Sequence, residues 1–306
     1  NELSGGLHAK LNINNDFTLE GTGFAGNVTY PYFTNEFVKD QMLIPGLGIA
    51  YKSGNNSYSY SNFSGYASYS PNKIFNLQLG NGKHFLGDGY RSLLLSDVAN
   101  NYPYFRINAN LWNIQYNVWY TWMKDLTNSG GIKNKFQNKF ATMHYLSWNV
   151  VKELNVSFFE NVIWQGTDTN RTRGFDPNYL NPIVFYRPQE YSVGSPDNAF
   201  IGLNISAKLF STLKLYGQLA LDEFNLKEIR ARTGWWANKQ AWQLGLKYIN
   251  AFKVKGLTFQ AEYNEVRPYT YTHGSVPQNY AHYGQPLAHP YGANFTEYLG
   301  FVSYRH

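Results

Sequence analysis

The sequence predicts an all-β fold, a transmembrane antiparallel barrel of the bacterial outer-membrane type, and three observations carry the prediction. Apolar and polar residues alternate with period two through segments of about ten residues, the length a tilted strand needs to cross a bilayer. The connections alternate between short turns and long loops, the asymmetry of outer-membrane barrels. Aromatics make up 18% of the 306 residues and charged residues only 15%. That balance favours pleated sheet and departs from the roughly 25% charge of an ordinary globular domain.

The alternation is plainest in "LTFQAEYN", where Leu257, Phe259, Ala261 and Tyr263 oppose Thr258, Gln260, Glu262 and Asn264. "TLKLYGQLALD" sets Leu213, Leu215, Leu219 and Leu221 against Lys214, Gln218 and Asp222. "NKQAWQLGLKY" sets Trp242, Leu244, Leu246 and Tyr248 against Lys239, Gln243 and Lys247. "NIQYNVWYTWMK" and "AFIGLNISAK" repeat the pattern. Read along the chain, it predicts about fourteen strands. They fall at 4–13, 16–26, 43–53, 57–69, 74–80, 104–111, 114–124, 139–149, 154–164, 199–208, 212–222, 237–249, 257–266 and 296–305.

Short joints near residues 70–73, 112–113, 152–153 and 210–212 are periplasmic turns on this reading. Long joints at 81–103, 125–138, 165–198, 223–236 and 267–295 are extracellular. The alternation breaks before residue 70, so a periplasmic loop or an inward-folded segment is expected at 27–42. Residues 1–306 read as a single barrel domain. The chain starts at "NELSGG", as if already processed, and stops at "YLGFVSYRH" in mid-pattern. Fourteen strands is therefore a floor, with about 16–18 within reach. A soluble sandwich, propeller or β-helix also alternates. Tyr and Trp near strand ends, Lys, Gln, Asn and Glu on the opposite faces, and the absence of a blade repeat count against it.

Several functions are excluded or disfavoured. No apolar run reaches 18 residues and the mean hydropathy is −0.45, which removes a helical span. The absence of cysteine removes disulfides, thiolate metal sites and cysteine nucleophiles. The net charge of +6 is scattered, so no nucleic acid is expected as a partner. No phosphate loop, dinucleotide fingerprint or Gly-X-Ser-X-Gly motif occurs, so no enzyme and no cofactor is expected.

Within "RPYTYTHGSVPQNYAHYGQPLAHPYGAN" (267–294), His273, His282 and His289 lie nine and seven residues apart. That spacing does not require a metal site; the histidines read as polar-aromatic loop residues. Glu160, Glu262, Glu265, Glu297 and Asp222 lie on or beside strands. As lumenal carboxylates they are expected to pair with Arg106, Arg187, Arg230, Arg232 or Arg267. The stretch 80–107 predicts either a short helix or plug in the barrel mouth, or a loop packing Leu93, Leu94 and Leu95 for its own stability. The stretch 170–198 mixes arginine with tyrosine, the residue types that bind a sugar ring by its C–H face and its hydroxyls. The candidate ligand-binding residues are Arg91, Arg173, Tyr186, Arg187, Trp235, Trp236, Tyr280, His282, Tyr283 and His289.

Three segments, "GNGKHFLGDGYRSLLLSD", "DPNYLNPIVFYRPQEYSVGSPDN" and "QNYAHYGQPLAHPYGANFTEYLG", resemble the Wzi-like capsule-assembly outer-membrane proteins of the Bacteroidota. Within that group the chain is most similar to the gliding-motility Rem-type members, over about residues 75–304. The resemblance implies a non-enzymatic outer-membrane barrel with cell-surface loops. It would act in capsular polysaccharide attachment, or in gliding motility and type 9 secretion. Expected partners are outer-membrane lipid, surface polysaccharide, and other barrels or surface lipoproteins. An accessory subunit of a larger outer-membrane complex is the rival reading, and a diffusion porin a weaker one.

Overall fold

In the computed structural model, residues 1–168, 171–182, 197–222 and 239–305 are described. Strands β1 (Glu2–Ile13) and β2 (Phe17–Thr29) precede helix α1 (Tyr32–Gln41) and the fragments β3 (Leu43–Ile44), β4 (Gly48–Ile49) and β5 (Tyr51–Lys52). Then come β6 (Ser57–Tyr69), β7 (Phe75–Gly82), β8 (Tyr102–Leu111), β9 (Ile114–Asp125), β10 (Gln137–Val151) and β11 (Leu154–Gln165). The small hairpin β12 (Thr167–Asp168) and β13 (Arg171–Thr172) leads to β14 (Asn198–Leu209), β15 (Leu213–Leu221), β16 (Gln240–Ile249) and β17 (Leu257–Val266). A second hairpin, β18 (Ala281–His282) and β19 (Gln285–Pro286), precedes β20 (Phe295–Tyr304). One 14-stranded sheet runs β1-β2-β6-β7-β8-β9-β10-β11-β14-β15-β16-β17-β20, with β5 added alongside β6. Every pairing within it is antiparallel between chain neighbours, and β1 and β20 are its two edges.

The registers settle which side chains share a face. Leu219 is opposite Trp242, Leu244 opposite Tyr263, and Tyr263 opposite Tyr298, so these residues line one face of β15–β20. Leu219, Leu244 and Tyr298 are exposed on it. Gln218, Gln243, Glu262, Asn264 and Glu297 line the other face and are buried. An apolar face for lipid and a polar face for the lumen is the alternation a membrane barrel requires. Trp112, Phe210 and Phe252 stand out at the short-turn end, at 94%, 89% and 72% exposure. They sit where an aromatic girdle meets the interface.

Short and long connections alternate from the first strand onward, which corrects the expected break before residue 70. The segment at 43–53 is not a wall strand. Pro45 offers no backbone donor, and Gly46 (φ 72°) and Gly48 (φ 139°) turn the chain, leaving three two-residue fragments. The segment at 27–42 is not periplasmic either. It begins as the end of β2 and becomes α1 on the long-loop side, where it folds inward. Val38 packs with Val28, Tyr58 and Tyr60, and Tyr58 Oη donates to Asn35 Oδ1 at 2.9 Å. Met42 in the left-handed region (φ 50°) ends the helix.

Leu244 stands 59% exposed midway along β16. Replacing it with arginine on the lipid face is expected to destabilise the barrel by about 2–4 kcal/mol. Urea unfolding in bilayers measures this, and no change would contradict the assigned face.

Candidate functional site

Between β7 and β8 the chain turns into the lumen as an irregular plug, residues 83–101, and no helix forms there. Ser92 organises it. Its Oγ donates to Leu86 O at 2.6 Å and accepts from the amides of Leu94 and Leu95, while Leu86 N donates to Leu95 O at 2.9 Å. Leu93, Leu94 and Leu95 are fully buried in one cluster with Met143, Phe159 and Phe200 of the inward wall. Burial of each contributes about 1.5–3 kcal/mol. A Cβ at Gly202 would overlap the Leu94 side chain, so this strand glycine makes room for the plug.

An irregular backbone inside a barrel needs partners for its polar groups, and the inward wall residues supply them. Gln218 accepts from Leu93 N at 2.7 Å and donates to Leu86 O at 2.9 Å. Gln243 donates to Arg91 O at 3.1 Å. Glu262 accepts from the amides of Tyr90 (2.7 Å) and Arg91 (3.1 Å) and from Tyr216 Oη (2.9 Å). Lys214 pairs with Asp88, and Lys247 donates to Asp88 O at 2.6 Å. The loop 267–294 seals the plug from above, with Tyr271 Oη donating to Leu93 O and Tyr280 Oη to Leu94 O.

On the long-loop side a cleft of two lobes opens between the wall and the 46–51 fragment. The outer lobe, about 630 Å³, is faced by Tyr51, Phe63, Trp122 and Tyr283, with Lys124 and Lys133 beside them. The lumenal lobe, about 660 Å³, is faced by Tyr66, Tyr104, Gln78 and Arg106, with Glu20, Lys83 and Asp97. Leu47, Asn62, Asn81 and Asn101 belong to both lobes. Asn101 Nδ2 donates to Asn62 Oδ1 at 2.9 Å and holds that partition. In the outer lobe Asn100 is only 2% exposed, and neither of its amide atoms has a hydrogen-bond partner among the described residues. A buried amide without partners costs free energy until a ligand or water meets it. Arg106 is held from behind by Asn117 Oδ1, at 2.9 Å from Nε, and lies over the Trp119 ring at 5.4 Å. Flat rings with amide and guanidinium groups form a surface that takes a hydroxylated ring.

The residues predicted from sequence have several different fates. His282 and Tyr283 line the outer lobe. His282 Nδ1 accepts from Lys124 N at 3.0 Å, so Nε2 carries the proton to Asn101 O at 3.1 Å. Arg91 joins Glu297 at 3.2 Å and anchors the plug. His289, fully buried, donates through Nε2 to Glu297 at 2.8 Å. Tyr280 is core, 4.6 Å from the Phe200 ring. Arg173 binds Asp176 and Asp197 at 2.6 and 2.8 Å on the outer side of the wall. Tyr186, Arg187, Trp235 and Trp236 lie outside the described residues.

Glu297 has an arginine partner, as expected of a lumenal carboxylate, though it is Arg91 and not one of the arginines named. Of those, Arg187, Arg230 and Arg232 lie outside the described residues. Glu262 takes plug amides, Asp222 accepts from Tyr271 N, and Glu265 accepts from Tyr263 Oη. Arg106 faces Asn117 instead of an acid. No group of three metal-ligating side chains occurs among the described residues. Asn100, Trp122, Tyr51, Tyr66 and Lys83 were absent from the predicted set. The signal for Tyr66 was its inward parity on β6.

These features define an outer-membrane β-barrel with a plugged lumen and a surface cleft. Wzi of Escherichia coli, an outer-membrane protein involved in group 1 capsule assembly and a carbohydrate-binding β-barrel, has a similar fold. The TM-score is 0.63 at 15% identity, over 98% of this chain and 60% of that one. The chain thus spans about 60% of the length of Wzi. OpdO of Pseudomonas aeruginosa is similar at a TM-score of 0.47 and 13% identity, over 87% of this chain and 65% of that one. An anion-selective porin from Comamonas acidovorans reaches 0.40 and 11%, over 98% and 87%. No family profile matches the chain, and no curated protein matches it in sequence.

Two predictions follow from the loop and plug. Burial lowers His282 from 6.5 to about 3, and does the same to His84 in the plug. Between those values the unfolded chain binds protons that the folded one does not. Stability is therefore full above pH 6.5 and falls as pH drops towards 3, by up to about 1.4 kcal/mol per unit for each histidine. Hydrogen exchange of residues 280–287 should accelerate over that window; a flat profile would contradict the assigned neutral forms. Gly202→Leu should expel Leu94 and expose 83–101 to protease while the wall strands stay protected.

Proposed function

We propose that the protein is a non-enzymatic, carbohydrate-binding barrel of the outer membrane that holds a surface polysaccharide in the rim cleft. Asn100, buried and without a partner among the described residues, beside the exposed rings of Tyr51, Phe63 and Trp122, is the observation that carries this reading. The Wzi-like fold supports it, because Wzi is a carbohydrate-binding barrel involved in capsule assembly. Capsular polysaccharide attachment is the finer role proposed. The gliding-motility and secretion role has no feature of its own among the described residues. A diffusion porin is disfavoured by the plug, whose backbone is hydrogen-bonded to the wall across the lumen.

One observation favours the rival reading of a subunit in a larger assembly. On the lipid side of β9–β11 the residues 175–182 lie flat against the wall. Tyr120 Oη donates to Leu180 O at 2.8 Å, Thr142 Oγ1 to Tyr179 O at 3.1 Å, and Tyr116 Oη to Pro182 O at 2.6 Å. Protein, not lipid, covers this sector.

Titration of the purified barrel with capsular oligosaccharides tests the proposal. Asn100→Ala, Trp122→Ala and Tyr283→Ala should each weaken binding about tenfold or more, close to 1.4 kcal/mol. Unchanged affinity in all three would remove the cleft as the site.

A further inference from the structure

The lumen has a second concavity below the plug. It lies at the short-turn end, which is periplasmic in an outer-membrane barrel. Its volume is about 330 Å³, at the small end of the ~300–1,000 Å³ range of small-molecule sites. Gly87 and Asp88 of the plug form its ceiling, and it shares no lining residue with either lobe of the rim cleft. The plug therefore divides two independent sites.

The walls of this basin are hydroxyls and amides placed in register. Ser147 is opposite both Gln115 and Ser157, and Asn155 is opposite Ser206. Asn155 Nδ2 reaches Ser147 Oγ and Asn149 Oδ1, each at 2.9 Å, and Ser157 Oγ reaches Asn155 Oδ1 at 2.7 Å. The Tyr145 side chain also lines the basin. Such a ladder can exchange hydrogen bonds with a polyhydroxylated ring without leaving a buried group unsatisfied.

Charge adds a second requirement. Lys208 and Lys214 are directly opposite each other on β14 and β15, a like-charge pairing that destabilises a sheet unless it is compensated. Asp88 compensates Lys214. Among the described residues no ion pair or side-chain hydrogen bond engages Lys208 or Lys152, and both line the basin. Among the described lining residues Glu153, in the adjoining turn, is the one carboxylate left to face them. The described lining residues thus carry three lysines against two carboxylates, an excess of one positive charge.

We infer that this basin is a periplasm-facing binding site for a single carboxylate-bearing sugar unit. The carboxylate lies between Lys152 and Lys208, and the ring hydroxyls lie on the Ser147, Asn155 and Ser206 ladder. The site is independent of the rim cleft and stands whether or not that cleft holds polysaccharide.

Calorimetric titration of the full purified chain with glucuronate, and with glucose as the neutral control, tests the inference. Glucuronate should bind saturably, and glucose about tenfold more weakly or worse. The double variant Lys152→Ala/Lys208→Ala should lose about tenfold or more in glucuronate affinity. Lys152→Arg/Lys208→Arg should retain binding. Both lysines are at the exposed turn end, and unchanged thermal unfolding of the variants would show the barrel intact. The inference is overturned by equal binding of glucose and glucuronate, by no saturable binding, or by a double alanine variant that binds as the parent does.

Discussion

Everything in this structure depends on one constraint: a strand that crosses a bilayer must satisfy its backbone through its neighbours and divide its side chains between lipid and lumen. From β6 to β20 each strand meets its chain neighbours in antiparallel register, so one parity of residues always faces out. That parity puts Leu244 and Leu219 towards lipid and Gln243 and Gln218 inward. On β15–β20 the inward residues do not face open space. They meet a plug whose irregular backbone needs the amides and carboxylates they offer.

The plug converts a wall into a scaffold. Its three buried leucines fix depth, Ser92 fixes its turn, and Glu262 and Glu297 fix its orientation through Tyr90 and Arg91. The loop 267–294 completes the seal, and its histidines are part of that architecture. His289 holds Glu297, while His282 bridges the β9 rim and Asn101. Because the plug fills the centre, the described polar and aromatic surface opens towards the two ends, as the rim cleft and the periplasmic basin.

The wall was readable from the sequence because alternation is a local signal. Leu257 to Asn264 declare their faces without any partner. The fragments at 43–52 and helix α1 were not readable. Their conformations are set by Pro45, by two glycines of positive φ, and by packing against Tyr58 and Tyr60 far along the chain. The candidate site was only half legible, since composition marks a loop rich in Tyr and His but not which ring reaches a cavity. Tyr280 and Tyr283 are three residues apart, yet one is core and the other lines the cleft. Asn100 carries no sequence signal at all; its significance is that the fold buries it without a partner among the described residues.

The most direct measurement is an experimental density map of the purified barrel with a bound capsular oligosaccharide. The account predicts sugar density in the rim cleft, stacked on Trp122 or Tyr51 and within hydrogen-bond distance of the Asn100 amide, with residues 83–101 still filling the lumen. An empty cleft, or a displaced plug with an open pore through the wall, would contradict it.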